Sequence, residues 1–173
     1  RAVSDAHAAG IVHRDLKPQN VFIERTAAGD GRVRLLDFGI AKMLESESSL
    51  TQSHALLGSP GCMAPEQVRG DAREVGPATD IFSLGAIAYE MLTGERAFTV
   101  QGLHKAFHEI LNLDPPVPSS RMPGLNANVD RVVMRALAKR PEDRYPTASE
   151  LAAELGAAFD ATATLPDSSR AGA

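Results

Sequence analysis

The chain has 173 residues, 43% of them hydrophobic and 23% charged, with 18 basic against 22 acidic side chains and a net charge of −4. That length builds one domain around one core, and the composition excludes a disordered polar chain, a collagen-like repeat and a long coiled coil. The acidic balance gives no reason to expect nucleic acid or an anionic membrane as partner, and the lone Cys62 excludes an intramolecular disulfide and a zinc site of ordinary spacing, which fits a reducing, cytoplasmic setting.

Val3, Ala6 and Ala9 recur at helical spacing, so a helix is expected over residues 1–9 with Gly10 as its stop. It is already running at Arg1, and with neither Met nor a signal-peptide pattern there the start reads as a cut. Val21 to Glu24 and Val33 to Leu36 are short β-rich runs on either side of a glycine-containing turn, which predicts a hairpin. Residues 43–60 carry Ser46, Ser48, Ser49, Thr51, Ser53 and Ser59 without periodicity, and Pro60, Gly61 and Pro65 argue against regular structure; a long loop is expected. From Asp80 to Thr93 apolar side chains, Met91 and Leu92 included, surround the helical circumference, which predicts a core helix capped by Thr79 or Asp80 and ended at Gly94. Its densest apolar run, Leu84 to Tyr89, is far below the roughly 18–20 residues that span a bilayer, so no membrane contact is expected of this segment.

Three amphipathic helices follow. One carries Val100, Leu103, Phe107, Ile110 and Leu111, the next Val129, Val132, Val133, Ala136 and Leu137, and the last Leu151, Leu155 and Phe159 behind a Thr147–Glu150 capping box. Residues 161–173 are polar and read as linker or tail, which leaves 1–160 as the domain. The fold class is α+β, mainly α, with one short hairpin.

Between the first helix and the hairpin lies HRDLKPQN, His13 to Asn20, and the second strand runs into Asp37, Phe38 and Gly39. A hairpin that brings Asn20 and Asp37 together can hold Mg²⁺, a hard cation that takes oxygen ligands and leaves places for phosphate oxygens. Asp15 can orient and deprotonate an attacking hydroxyl, and Lys17 can set positive charge beside a transferring phosphoryl group. Together these groups suit phosphoryl transfer. His13 reads as a packed structural histidine; His7, His54, His104 and His108 read as solvated or capping side chains, and Glu45, Glu47, Glu142 and Asp143 as a solvated face.

His13-Arg14-Asp15 with Asn20, then Asp37-Phe38-Gly39, then Ala64-Pro65-Glu66 resemble the signatures of eukaryotic-like protein kinases over roughly residues 1–159. The resemblance implies Asp15 as catalytic base, Lys17 as γ-phosphate contact, Asn20 and Asp37 as magnesium ligands and Phe22 as the apolar side chain under the adenine of ATP. Lys17, two residues after Asp15, looks like the serine/threonine branch, with proteins as substrates. Ser59 stands where a hydroxyl bridges Asp15 and Lys17, while Cys62 stands where a tyrosine is common. Asp80 is similar to the aspartate that braces the catalytic-loop backbone, and Arg144 to the arginine that pairs with Glu66. Arg14 resembles the arginine that holds a phosphorylated loop, with Thr51 and Ser53 as candidate phosphosites in a stretch like that of bacterial kinases.

The same resemblance implies a C-terminal helical lobe without its N-terminal lobe, because the glycine-rich loop, strand lysine and helix glutamate lie before the segment where Arg1 begins. The 173 residues alone are then expected to be inactive, with the apolar face toward that lobe exposed. The cytoplasmic domain could be membrane-anchored through a segment outside this chain. A pseudokinase or partner-docking module is the alternative reading, and a small-molecule phosphotransferase of the same fold ranks behind it.

Overall fold

The computed structural model describes residues 1–25, 31–37, 60–99 and 101–163. Helix α1 (Ala2–Ala8) ends at Gly10, whose φ of 75° is the left-handed stop expected of it. The chain then passes through the loop 11–20 into strand β1 (Val21–Arg25), which pairs antiparallel with β2 (Gly31–Leu35) in the register Val21↔Leu35 to Arg25↔Gly31. The Leu36 amide extends the ladder by donating to the Asn20 carbonyl at 2.9 Å. This two-stranded ribbon buries little: Phe22 is 60% and Ile23 64% exposed. Phe22 is therefore not the core residue that its apolar side chain suggests.

The expected irregular loop holds two elements where it meets the core. A 3₁₀ turn covers Pro60–Cys62 and helix α2 covers Pro65–Arg69. Pro65 starts this helix rather than preventing it, because the first helical position needs no N–H. Residues 43–59 of the loop, with Thr51, Ser53, His54 and Ser59, lie outside the described residues, as do Phe38, Gly39, Val100 and 164–173.

Helix α3 (Pro77–Thr93) is the centre of the fold and starts a turn earlier than expected. Gly76 is its N-cap; Thr79 stands at the third position and accepts the Gly76 N–H, and Asp80 is turned to another task. Ile81, Phe82 and Tyr89 are buried, and Gly94 ends the helix at φ 72°. The burial does not go all round, since Met91 is 78% exposed. Helix α4 (Leu103–Asn112) buries Ala106 and Ile110, with Phe107 only half-buried. Helix α5 (Ala127–Ala136) buries Val129, Val132, Val133 and Ala136, as its pattern predicts. Helix α6 (Ala148–Ala163) starts behind Thr147, whose Oγ1 accepts the Glu150 N–H at 3.1 Å. It buries Leu151 and Ala158 and leaves Phe159 39% exposed.

Helices α3 and α5 meet at Gly85, where a Cβ would lie 2.8 Å from the Ala136 Cβ. The helices approach this closely because the side chain is absent. Next to this seam Phe98 stacks on Phe82 with ring centroids 5.8 Å apart. Lys139 Nζ covers Phe98 at 4.6 Å while donating to the Ile110 and Leu113 carbonyls that end α4.

The largest fully buried side chain is a charged one. Arg144 makes a bidentate pair with Glu66, each contact 2.8 Å, with neither side chain exposed. Its other guanidinium hydrogens go to the Ala138, Ala78 and Lys139 carbonyls. Thr79 Oγ1 donates to Glu66 Oε1 at 2.8 Å. Burial alone would raise the Glu66 carboxyl, but the Arg144 hydrogen bonds and charge outweigh it and hold the group below its ordinary 4.5.

Replacing Arg144 with Met strands Glu66 as a buried, unpaired charge, and a loss of about 3–5 kcal/mol is expected in urea unfolding at neutral pH. The sign with pH follows from the lowered carboxyl. In the parent the pair's contribution is full above pH 4.5 and is lost as pH falls through the lower folded value. Without Arg144 desolvation raises that carboxyl instead, so the gap between variant and parent should narrow on acidification; a gap constant with pH would contradict this.

Candidate active site

The loop 11–20 is fixed by a carboxylate beneath it. Asp80 at the start of α3 has no exposed surface, and a buried carboxylate needs donors. Its Oδ1 accepts the Arg14 N–H at 2.9 Å, and its Oδ2 accepts the His13 N–H and the His7 Nε2–H, both at 2.8 Å. Asp80 thus holds the loop backbone from beneath. His7 is neither a solvated nor a capping side chain: it reaches across from α1 to complete that shell.

His13 is buried and its two ring nitrogens have separate tasks. Nε2 donates to the Leu36 carbonyl at 3.1 Å, and Nδ1 accepts the Asp15 N–H at 3.4 Å. The imidazole therefore ties the Asp15 peptide to the end of β2, one residue before Asp37. This is the packed structural histidine expected.

Asp15, Lys17 and Asn20 come together on this frame. Lys17 Nζ lies 2.8 Å from Asp15 Oδ2, with the two side chains 23% and 18% exposed. Asn20 Nδ2 donates to the Asp15 carbonyl at 2.9 Å and approaches Oδ2 at 3.5 Å. The carboxylate is thus partly open, oriented by an ammonium and an amide, and able to accept a proton from a hydroxyl brought to it.

Asp37 is exposed at the end of β2, with φ 51°, a conformation that its short polar side chain tolerates. The Leu36–Asn20 backbone bond sets it one step along the ladder from Asn20. Because Nδ2 of Asn20 is committed to Asp15, its Oδ1 is the atom left for a cation. One amide oxygen and one carboxylate suit a hard ion that keeps water or phosphate oxygens, not a closed protein cage. Among the described residues no cluster of three or more His, Cys, Asp or Glu can hold a metal.

Arg14 has φ 65°, an uncommon conformation for a residue with a Cβ, and among the described residues its buried Nε has no hydrogen-bond partner. Cys62 is buried behind the site, where its carbonyl accepts the Ser83 hydroxyl at 2.7 Å. Desolvation raises its thiol to about 11. Ser59, Thr51 and Ser53 are outside the described residues, so the structure gives no contacts for them.

Sequence reading missed the roles of His7, Gln67 and Ser83, and named Thr79 only as a helix cap. Gln67 left a signal, a glutamine three residues after a helix N-cap, which is the position that accepts the N-cap N–H. That it also reaches the loop 11–20 has no sequence signature.

Residues 1–154 match the family model described as "Protein kinase domain". The chain is 44% identical over 156 residues to the serine/threonine-protein kinase PknB of Mycobacterium tuberculosis, covering 90% of this chain and 24% of that protein. It is 45% identical over 144 residues to the serine/threonine-protein kinase Pkn1 of Myxococcus xanthus, covering 83% of this chain and 20% of the relative. The chain therefore spans about a quarter of the length of the curated relatives it matches. The crystal structure of a mutant PknI kinase domain from Mycobacterium tuberculosis is similar at a TM-score of 0.64 and 28% identity, over 91% of this chain and 50% of that one.

Two measurements check the site's frame. Asp80→Ala should speed amide exchange at His13 and Arg14 by about tenfold or more, the loss of a bond to a buried charged acceptor; unchanged exchange would mean that the brace is not what orders the loop. In the folded protein Cys62 should resist iodoacetamide at pH 8, where a thiol titrating at about 11 is about one part in a thousand thiolate, and should react on unfolding.

Proposed function

The chain belongs to the protein kinase domain family, and we propose that it is the C-terminal lobe of a bacterial serine/threonine kinase, moving the γ-phosphoryl group of ATP to Ser or Thr hydroxyls of proteins. The observation that carries this reading is the Asp15 carboxylate, held by Lys17 and Asn20 on a loop braced from below and set one ladder step from Asp37. In the reaction Asp15 takes the proton of the attacking hydroxyl while that oxygen bonds to the γ-phosphorus and the bond to the ADP oxygen breaks. Lys17, now against Asp15, is near enough to share its charge with the γ-phosphate. Asn20 through Oδ1 and Asp37 would hold Mg²⁺, which when bound neutralises charge on the phosphate oxygens. Phe22, exposed on the ribbon, is free to lie under the adenine.

The glycine-rich loop, strand lysine and helix glutamate of the family are not among these 173 residues. The reading assigns them to a further lobe of the whole protein, which has room for one given the share of its relatives that this chain spans. Exposed Ile11, Phe22, Ile23, Val33 and Leu36 support it, since apolar side chains of the loop and ribbon are what such a lobe would cover. The 173 residues alone are then inactive. The lobe runs to the end of α6 at Ala163, and the domain works on the cytoplasmic side, where ATP is. Arg14 would hold Thr51 or Ser53 once phosphorylated. Ser59 is assigned the hydroxyl that bridges Asp15 and Lys17.

In the full-length protein, Asp15→Asn should lower kcat for phosphorylation of itself or a basic protein by about 10²–10⁴ with KM for ATP little changed. Asn20→Ala and Asp37→Ala should each raise the Mg²⁺ concentration needed for half-maximal rate. A parent protein that binds Mg-ATP yet transfers no phosphate would sink this reading and favour the docking module.

A further inference from the structure

The residue before Asp15 is held in an unfavourable conformation, and its two peptide groups are gripped from two directions. Arg14 sits at φ 65°. Its N–H goes to Asp80 Oδ1 from α3 at 2.9 Å, and its C=O accepts Gln67 Nε2 from α2 at 2.7 Å. A left-handed non-glycine residue is strained and persists only where its surroundings over-determine it. The Arg14 carbonyl is also half of the peptide group that carries the Asp15 N–H. Its orientation therefore fixes where Asp15 starts.

The Gln67 amide is placed unambiguously by its partners. Its Oε1 accepts the Ala64 N–H at 3.0 Å, and its Nε2 faces the Arg14 carbonyl, so a flip would turn both contacts repulsive. One side chain thus joins the backbone of the Ala64–Pro65–Glu66 segment to the peptide before the catalytic carboxylate, across 53 positions of sequence.

We propose that Gln67 is a positioning residue for phosphoryl transfer, acting through the Arg14 carbonyl to set the Asp15 carboxylate. The proposal rests on the kinase reading above and adds to it a residue outside the family signatures. It also gives the segment after residues 38–59 a direct mechanical hold on the base: a displacement of Ala64 pulls on the Arg14 peptide through one planar amide.

Two variants of the full-length protein separate positioning from capping. Gln67→Glu keeps an acceptor for Ala64 N–H and replaces the donor to Arg14 by an oxygen; Gln67→Met removes both. Each is assayed with ATP and a basic protein substrate below its own thermal midpoint, and Gln67→Asn, one methylene too short to span both partners, stands in if the glutamate variant fails to fold. Positioning predicts that Gln67→Glu and Gln67→Met both lose about tenfold or more in kcat with KM for ATP within about twofold, because small misplacements of a reacting group are costly. Faster amide exchange at Asp15 should accompany the loss. If Gln67→Glu, or its asparagine stand-in, works like the parent, Gln67 only caps its helix and the proposal is overturned; a change in KM for ATP with kcat intact overturns it as well. A parent protein without transfer overturns the kinase reading itself, and that failure is seen before any variant is compared.

Discussion

A carboxylate with no exposed surface organises this site. Burying Asp80 is costly unless each oxygen finds donors, and three donors come from two places: the His13 and Arg14 amides of the loop and the His7 imidazole of α1. The loop cannot relax away from α3 without leaving that charge unsatisfied. Every group with chemistry to perform is fixed relative to this point. The Asp15 amide leans on His13 Nδ1, the Asn20 amide on the Asp15 carbonyl, and the His13 ring on the last residue before Asp37. The arrangement also explains how Arg14 is kept at a positive φ, since its peptide groups are held at both ends.

The Glu66–Arg144 pair does a second, separate job. A buried ion pair is weak evidence of net stability, because apolar side chains of similar volume often do as well. This pair instead ties several elements together through directional bonds. Arg144 donates to carbonyls at Ala78, Ala138 and Lys139 while holding Glu66, and Thr79 adds a third bond to the same carboxylate. Helix α2 is only five residues long. The pair pins it to the start of α3, and with it Gln67.

Helices were legible where apolar residues recur at helical spacing through most of the element, as in α3 and α5, because burial there follows from the pattern itself. The hairpin was legible from two β-rich runs around a glycine turn. What failed was burial at single positions. Met91 and Phe22 are apolar, but the first lies on the open side of α3 and the second on a ribbon with nothing described above it, and neither fact is encoded within a few residues of sequence. Asp15, Lys17 and Asn20 stand out as polar groups suited to phosphoryl transfer between the first helix and the hairpin; their particular roles, like those of Asp80 and of the Glu66–Arg144 pair, came from the family resemblance. His7 and Gln67 were missed because each acts through a side chain that crosses to another element, 73 and 53 positions away.

The two kinds of interaction divide the work. The apolar seam between α3 and α5, with its Gly85–Ala136 contact, supplies rigidity but is indifferent to where a loop carbonyl points. Hydrogen bonds to buried polar groups are directional and fail over fractions of an ångström. Among the described residues several of them gather at the rim of the core: Asp80 and Thr79 at the first turns of α3, Glu66 and Gln67 in α2, Arg144 beyond α5. A protein that must place a carboxylate accurately on an irregular loop needs both, a helix that does not move and polar groups at its end that leave the loop one way to sit. In this chain the first turns of α3 are where the two requirements meet, with Ile81 and Phe82 packed into the core directly after Thr79 and Asp80 have fixed α2 and the loop 11–20.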